Sequence, residues 1–178
     1  MALRKIVTEE DQNLRMKCRE VKEVNDRIRA TLLDMLETMR DAYGVGIAAP
    51  QVGVMRRMFV AEPNPYYPEL DDEEETENAE IPEEKVYFMI NPVILEKSET
   101  LVEGQEGCLS VPGKAGTVLR SDYIKIKALD FTGAEHVYEF YDWDAGVVQH
   151  EYDHLDGILY VDRAEEVHNI EDQEEDEE

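Results

Sequence analysis

The strongest constraint in this chain is the stretch Gln149-His150-Glu151-Tyr152-Asp153-His154-Leu155-Asp156-Gly157. It reads as helix, with His150 and His154 four residues apart. On a helix that spacing puts both imidazoles one turn apart on the same face, where they can bind one metal ion. Glu151, beside the first histidine, is then placed to handle the proton of a metal-activated water. The rest of the chain has to be arranged around this helix and has to supply a third ligand, because catalytic zinc-type centres take three protein ligands and leave one position open.

The remaining donors are Cys108, His136, His168 and the 43 carboxylates. Cys108 sits in Glu106-Gly107-Cys108-Leu109-Ser110-Val111-Pro112, between a glycine that permits tight backbone and a proline that ends the segment. A thiolate there supplies a soft third ligand that a metal would keep deprotonated. His136 falls inside an alternating strand and His168 in an acidic tail, so both read as surface or packing residues. Cys18 has no ligand context. A disulfide between the two cysteines does not suit a chain whose first residues lack the apolar run of a signal peptide, since cytosolic thiols are kept reduced. No stretch approaches the length of an apolar membrane span, and the expected compartment is the cytoplasm.

The pattern around these residues is helix, strands, helix. From Val24 to Tyr43 apolar residues recur at helical spacing (Ile28, Leu32, Met35, Leu36, Met39), with Asn25 or Asp26 as N-cap and Gly44 at the stop. The Gly-rich run 44–54 is too rich in small residues for a stable helix and too apolar for an exposed loop, which suits backbone that approaches something closely. Met58–Ala61 reads as a strand, and Val86–Leu95 as an edge or broken strand because it contains Pro92. Thr117–Arg120, Tyr123–Leu129 and Glu135–Phe140 read as further strands, the last two joined by a turn at Thr132-Gly133. Asp142 or Asp144 is the expected cap of the histidine helix. The expected class is α+β, with mixed or antiparallel sheets around a central metal-binding helix and an N-terminal amphipathic helix.

At 178 residues this is expected to be a single catalytic domain over 1–164, long enough for one core. The net charge of −25 is lopsided. Eleven acids and no Lys or Arg lie in a loop insert at 62–84, with four prolines, and nine acids lie in a C-terminal tail at 165–178; the remainder carries a net charge of only −5. Acid runs of this kind repel themselves and bury little, so the insert reads as a solvated loop and the tail as disordered.

Three of these segments, Gly44-Val45-Gly46-Ile47-Ala48-Ala49-Pro50-Gln51, Glu106-Gly107-Cys108-Leu109-Ser110 and the histidine stretch, resemble the three motifs of the peptide deformylases, in the same order. The resemblance runs from about Ile28 to about Asp162, outside the acidic insert. It implies an enzyme that takes the formyl group from N-formylmethionine at the start of new polypeptides and releases formate. It further implies that Cys108, His150 and His154 bind one divalent metal, Fe2+ first, with Zn2+, Ni2+ or Co2+ as alternatives. Glu151 would be general base and acid, Gln51 and the backbone N–H of Leu109 would hold the developing oxyanion, and backbone at Val45, Gly46 and Gly113 would bind the substrate chain. The partners implied are N-formylmethionyl nascent peptides, with no membrane and no sequence-specific nucleic acid. A transient ribosome contact belongs to the same setting, but some members make it through a basic C-terminal helix, whereas residues 165–178 here are acidic and would be repelled by RNA. Ala115 falls where some members carry an arginine that helps hold the substrate backbone.

Two rival readings are weaker. A metzincin-like protease would extend the motif to a third histidine, and that place is Tyr160; a thermolysin-like site would need a downstream glutamate on a second helix. A non-enzymatic metal-binding or acidic interaction protein leaves Gln51 and Glu151 without a purpose.

Overall fold

The computed structural model describes residues 1–65, 67 and 85–171. The first long helix, α1 (Asp26–Asp41), is capped by Asn25, whose side chain accepts from the Ile28 N–H at 3.0 Å. Its apolar stripe of Leu32, Met35 and Met39 is fully buried against Ile47, Met58, Val60 and Ile90. The left-handed residue after the helix is Tyr43 (φ 52°), not Gly44, while the Gly44 N–H bonds to the Met39 carbonyl. Gly44 is needed for a different reason: a Cβ there would lie 2.9 Å from the Leu109 side chain.

The Gly-rich run becomes a short strand β1 (Gly46–Ala48) followed by a 3₁₀ turn, Ala49–Val52, closed by Gly53 at φ 77°. The strands β2 (Met58–Ala61), β3 (Tyr87–Lys97), β6 (Tyr123–Leu129) and β7 (Glu135–Tyr141) complete a five-stranded antiparallel sheet in the order β1-β2-β3-β6-β7. β3 is therefore an interior strand, and of the two expectations for it, edge or broken, it is the broken strand that the register shifts show. Pro92, which has no N–H to give the ladder, is absorbed where the register shifts between Ile90 and Val93, and Asn91 adopts φ 49° there. The Asn91 side chain holds the bulge by bonding both ways to the Val21 backbone, at 2.8 Å each.

A second sheet has the order β4-β5-β8, from β4 (Leu101–Cys108), β5 (Val111–Ser121) and β8 (Glu166–Asn169). β4 escaped the sequence reading because its alternation is broken by Gly104 and Gly107 and most of its residues are exposed. β8 lies inside the stretch expected to be a disordered tail: Val167 and His168 pair with Gly116 and Ala115, so the backbone hydrogen bonds of β5 order at least these residues. Residues 172–178, and the insert from 68 to 84, lie outside the described residues. The insert also begins later than its first acid. Glu62 is buried, its N–H bonds to the Val45 carbonyl, and its carboxylate takes two hydrogen bonds from Arg40 at 2.6 and 2.8 Å.

Between the sheets runs α2 (Asp142–Leu155), followed by the single turn α3 (Tyr160–Arg163). Ala145, Val148 and Leu155 of α2 join the main core with Phe59, Ala61, Ile124, Ile126 and Phe140. Neither Asp142 nor Asp144 caps this helix through its side chain. The residue in the cap position is Tyr141; the Asp142 N–H is taken by the carbonyl of Asp122, in the bend between β5 and β6, at 2.7 Å, and Asp144 accepts from Asn64.

Candidate active site

The motif helix is buried on the side that carries its polar residues. His150 and His154 project from α2 toward the end of β4, where Cys108 stands. Their nearest ligand atoms lie within 4.8 Å of one another, and Cys108 Sγ is 3.4 Å from His154 Nε2. A thiol and two imidazoles converging on one point is a donor set that fits a borderline-soft divalent ion. Two atoms here support the fit: Glu151 Oε2 and His154 Nδ1 are buried without a hydrogen-bond partner in the protein, and such atoms are rare outside functional sites or places served by water.

Glu151 lies against Gly46. A Cβ on Gly46 would overlap the Glu151 carboxylate, so β1 must have glycine where it passes the helix. Burial pushes the Glu151 carboxyl up to about 7, the range in which a carboxylate can both take and return a proton at neutral pH. Gln51 is aimed by its own backbone environment. Its Oε1 accepts from the Ala48 N–H at 2.8 Å, which turns Nε2 toward Ser110 Oγ at 3.1 Å and Cys108 Sγ at 3.5 Å.

Three residues behind the ligands carry more than the sequence disclosed. Glu106 accepts from His150 Nδ1 at 2.7 Å, leaving Nε2 as the ligating nitrogen. Arg120 grips Glu106 through Nε and Nη2 at 2.9 Å each, and donates to Asp153 at 2.6 Å. Asp153 also takes two hydrogen bonds from Arg163. Burial alone would raise the Glu106 carboxyl, but Arg120 and His150 hold it down at about 2. Burial would likewise depress His150, yet its contacts with Cys108 and Glu106 lift it well above its ordinary value; His154, with no carboxylate contact, is left well below by burial and by the nearby His150. The sequence carried one usable sign of Glu106, its position two residues before Cys108 on the same strand face. Nothing local pointed to Arg120, twelve residues beyond Cys108 on the neighbouring strand. Asp153 faces away from the ligands, as the helix geometry implies.

A cleft of about 580 Å3 opens over these groups. Val45, Gly46, Gln51, Cys108, Leu109, Gly113, His150 and Glu151 all border it, so every expected site residue except the deeply buried His154 reaches its surface. Gly113 has φ 75°, and its carbonyl takes the Ile170 N–H. Ala115 is turned to β8, opposite His168, and Lys114 beside it pairs with Glu9 at 3.3 Å. His136 is on the far edge, bonded to Asp130, and Cys18 is buried elsewhere, both outside the site.

Residues 3–169 match a family model described as polypeptide deformylase, a span longer at both ends than the three motifs. The chain is 43% identical over 162 residues to peptide deformylase 1 of Clostridium perfringens, covering 91% of this chain and 98% of that protein. Among solved structures it resembles a peptide deformylase from Thermotoga maritima, with TM-score 0.79, 32% identity, and coverage of 93% of this chain and 100% of that one. It also resembles a Met-Ala-Ser-bound class I type b peptide deformylase from Acinetobacter baumannii, with TM-score 0.78, 35% identity, and coverage of 90% and 98%.

Proposed function

Because the chain belongs to the polypeptide deformylase family, we infer that it is a metal-dependent hydrolase that removes the formyl group from N-formylmethionine at the N-terminus of newly made polypeptides, releasing formate. The observation that carries the reading is the convergence of Cys108, His150 and His154 within 4.8 Å, with the Glu151 carboxylate buried beside them. In this reading those three residues hold one divalent ion, Fe2+ in the cell. When bound, such an ion supplies Lewis acidity and lowers the pKa of water at it to about 7.

The protein's own groups do the rest. Glu151 takes a proton from the attacking water and gives it to the peptide nitrogen as the C–N bond breaks, so the water oxygen leaves in formate and the methionine amine is freed. Gln51 Nε2 and the Leu109 N–H stabilise the oxygen that becomes negative during attack; one such donor is typically worth about 3 kcal/mol. The hydrogen bond from Ala48 supports this role for Gln51, because it fixes the amide before substrate arrives. Glu106 keeps His150 in the tautomer that presents Nε2. Backbone at Val45, Gly46 and Gly113 receives the substrate chain along the cleft, and that a relative was crystallised with Met-Ala-Ser bound supports a peptide as the occupant.

The work is placed in the cytoplasm, where nascent chains emerge and thiols such as Cys108 stay reduced; no helix among the described residues is long and apolar enough to cross a membrane. Ribosome contact in this reading is transient and weakened by the acidic segments, so it should be strongest at high screening. Release of formate from formyl-Met-Ala-Ser by anaerobically purified protein, with metal analysis of the same sample, tests the reading. No formate would sink the activity, and a sample active with zinc but devoid of iron would sink the choice of Fe2+.

A further inference from the structure

Of the glycines bordering the cleft, Gly44 and Gly46 are demanded by packing and Gly113 by its positive φ. Gly104, Gly107 and Gly146 have neither reason, and of these Gly107 would at least place a Cβ in contact with the Lys114 carbonyl at 3.6 Å. A Cβ on Gly104 or Gly146 would meet nothing within 4 Å, and neither has a left-handed backbone. Both stand inside regular elements, β4 and α2, where glycine is a destabilising choice. The space at each missing side chain is open, and both residues border the cleft.

Their positions are related. The hydrogen bond between Glu106 and His150, at 2.7 Å, ties β4 to α2. Gly104 is the next residue on the Glu106 face of β4, because alternate residues of a strand share a face. Gly146 lies one helical turn before His150 on α2. Each is therefore one step outward from the same contact, on opposite walls of the cleft. Val147 and Trp143 continue the helix wall there, and Trp143 is held by donating to the Pro63 carbonyl at 2.7 Å. The cleft as a whole, at about 580 Å3, is in the range of pockets that enclose a drug-sized ligand. It is a built site, since the unpartnered Glu151 carboxylate faces into it.

We propose that Gly104 and Gly146 are specificity determinants that widen the subsite for the substrate's first side chain, so that formyl-peptides beginning with an aromatic residue are accepted alongside those beginning with methionine. The proposal rests on the deformylase reading above. The apolar wall of Val147 and Trp143 suits a ring, and the two glycines leave room for it beside the ligands.

The test is kcat/KM for formyl-Phe-Ala-Ser relative to formyl-Met-Ala-Ser, in the wild type and in Gly104→Ile, Gly146→Ile and Gly146→Ala. The wild-type ratio should exceed about one tenth, since a pocket that fits only methionine would discriminate by more than this. Each isoleucine should lower the ratio by about tenfold or more, because a filled pocket must be strained to admit the ring. Gly146→Ala should lower it less and raise Tm, since alanine favours the helix; this variant keeps the test decisive if the bulkier ones fold poorly. A wild-type ratio below one tenth, or a ratio unmoved in the folded variants, would overturn the inference while formyl-Met turnover left the deformylase reading intact. Failure of both peptides would remove that reading and this one together.

Discussion

Helices α1 and α2 have 16 and 14 residues and both pack on the five-stranded sheet, yet they bury opposite kinds of surface. α1 sinks Leu32, Met35 and Met39 into an apolar cluster and is fastened by its own Asn25 cap. α2 buries Gln149, His150, Glu151, Asp153 and His154 along with its apolar residues, and has no side-chain cap. A helix of the first kind is stabilised by removing apolar area from water. One of the second kind is stable only where each buried polar group finds a partner. Gln149 finds the Ser121 carbonyl, His150 finds Glu106, and Asp153 finds Arg120 and Arg163. The exceptions, Glu151 Oε2 and His154 Nδ1, lie where the chemistry is. The comparison teaches that α1 serves stability, while α2 trades stability for reactive groups and relies on other elements to hold it.

That division can be broken by four substitutions. The largest effect should come from Glu151→Gln, which keeps the shape of α2 but removes a group able to accept a proton. Formate release should fall by about 10²-fold to 10⁴-fold, with bound metal retained on elemental analysis. Activity within tenfold of wild type would mean that the buried carboxylate is not the base.

Next in size is Arg120→Ala, which removes the shared guanidinium between Glu106 and Asp153 and leaves His150 alone on the first and Arg163 alone on the second. Leaving two buried carboxylates under-compensated should reduce unfolding free energy by about 3 kcal/mol, the low end for a broken buried pair because one partner remains on each, read from urea denaturation. Metal affinity should weaken with it, because His150 loses a firmly held orienting carboxylate. A change below about 1 kcal/mol, the value of a surface pair, would show that the network does not support α2.

Leu32→Ala strikes the other helix. It should cost about 2–5 kcal/mol of stability through lost burial and a cavity, comparable to the loss at Arg120, but the kcat of the folded enzyme should stay as it was. A fall in kcat at temperatures where the variant is fully folded would tie α1 to the chemistry after all. Asn25→Ala should be the mildest, about 1 kcal/mol from the lost cap, again with kcat unaltered; the unfolding midpoint gives the answer directly.

Much of this molecule was legible in the chain before folding. The period of α1, the alternation of β6 and the His150-Glu151-His154 spacing are local, and local stereochemistry repeats wherever such residues occur. The three motifs placed Cys108 and Gln51 in one site because their order was that of a family. The failures are equally specific. Pro92 argued for an edge or a broken strand; the break is there, but the bulge at Asn91 lets β3 run through the middle of the sheet rather than along its edge. Acidic composition argued for a free tail from residue 165 onward, but β5 had an open edge for Glu166–Asn169 to pair with. Asp142 and Asp144 looked like caps, but the helix starts at Asp142 with Tyr141 in the cap position, so both acids fall inside the first turn.

What the sequence alone determined is therefore the kind of chemistry available: two imidazoles on one helix face, a carboxylate beside them, and a cysteine between a glycine and a proline. Only the tertiary structure decided how those groups are poised. Arg120 and Glu106 come from adjacent strands and Asp153 from α2, and it is their mutual distance, at the largely buried floor of the cleft, that fixes the charge on Glu106 and the tautomer of His150. The separation has one cause. Ligand identity and helix spacing are properties of neighbouring residues, whereas pKa values and hydrogen-bond partners depend on burial and on charges that meet only when distant segments pack.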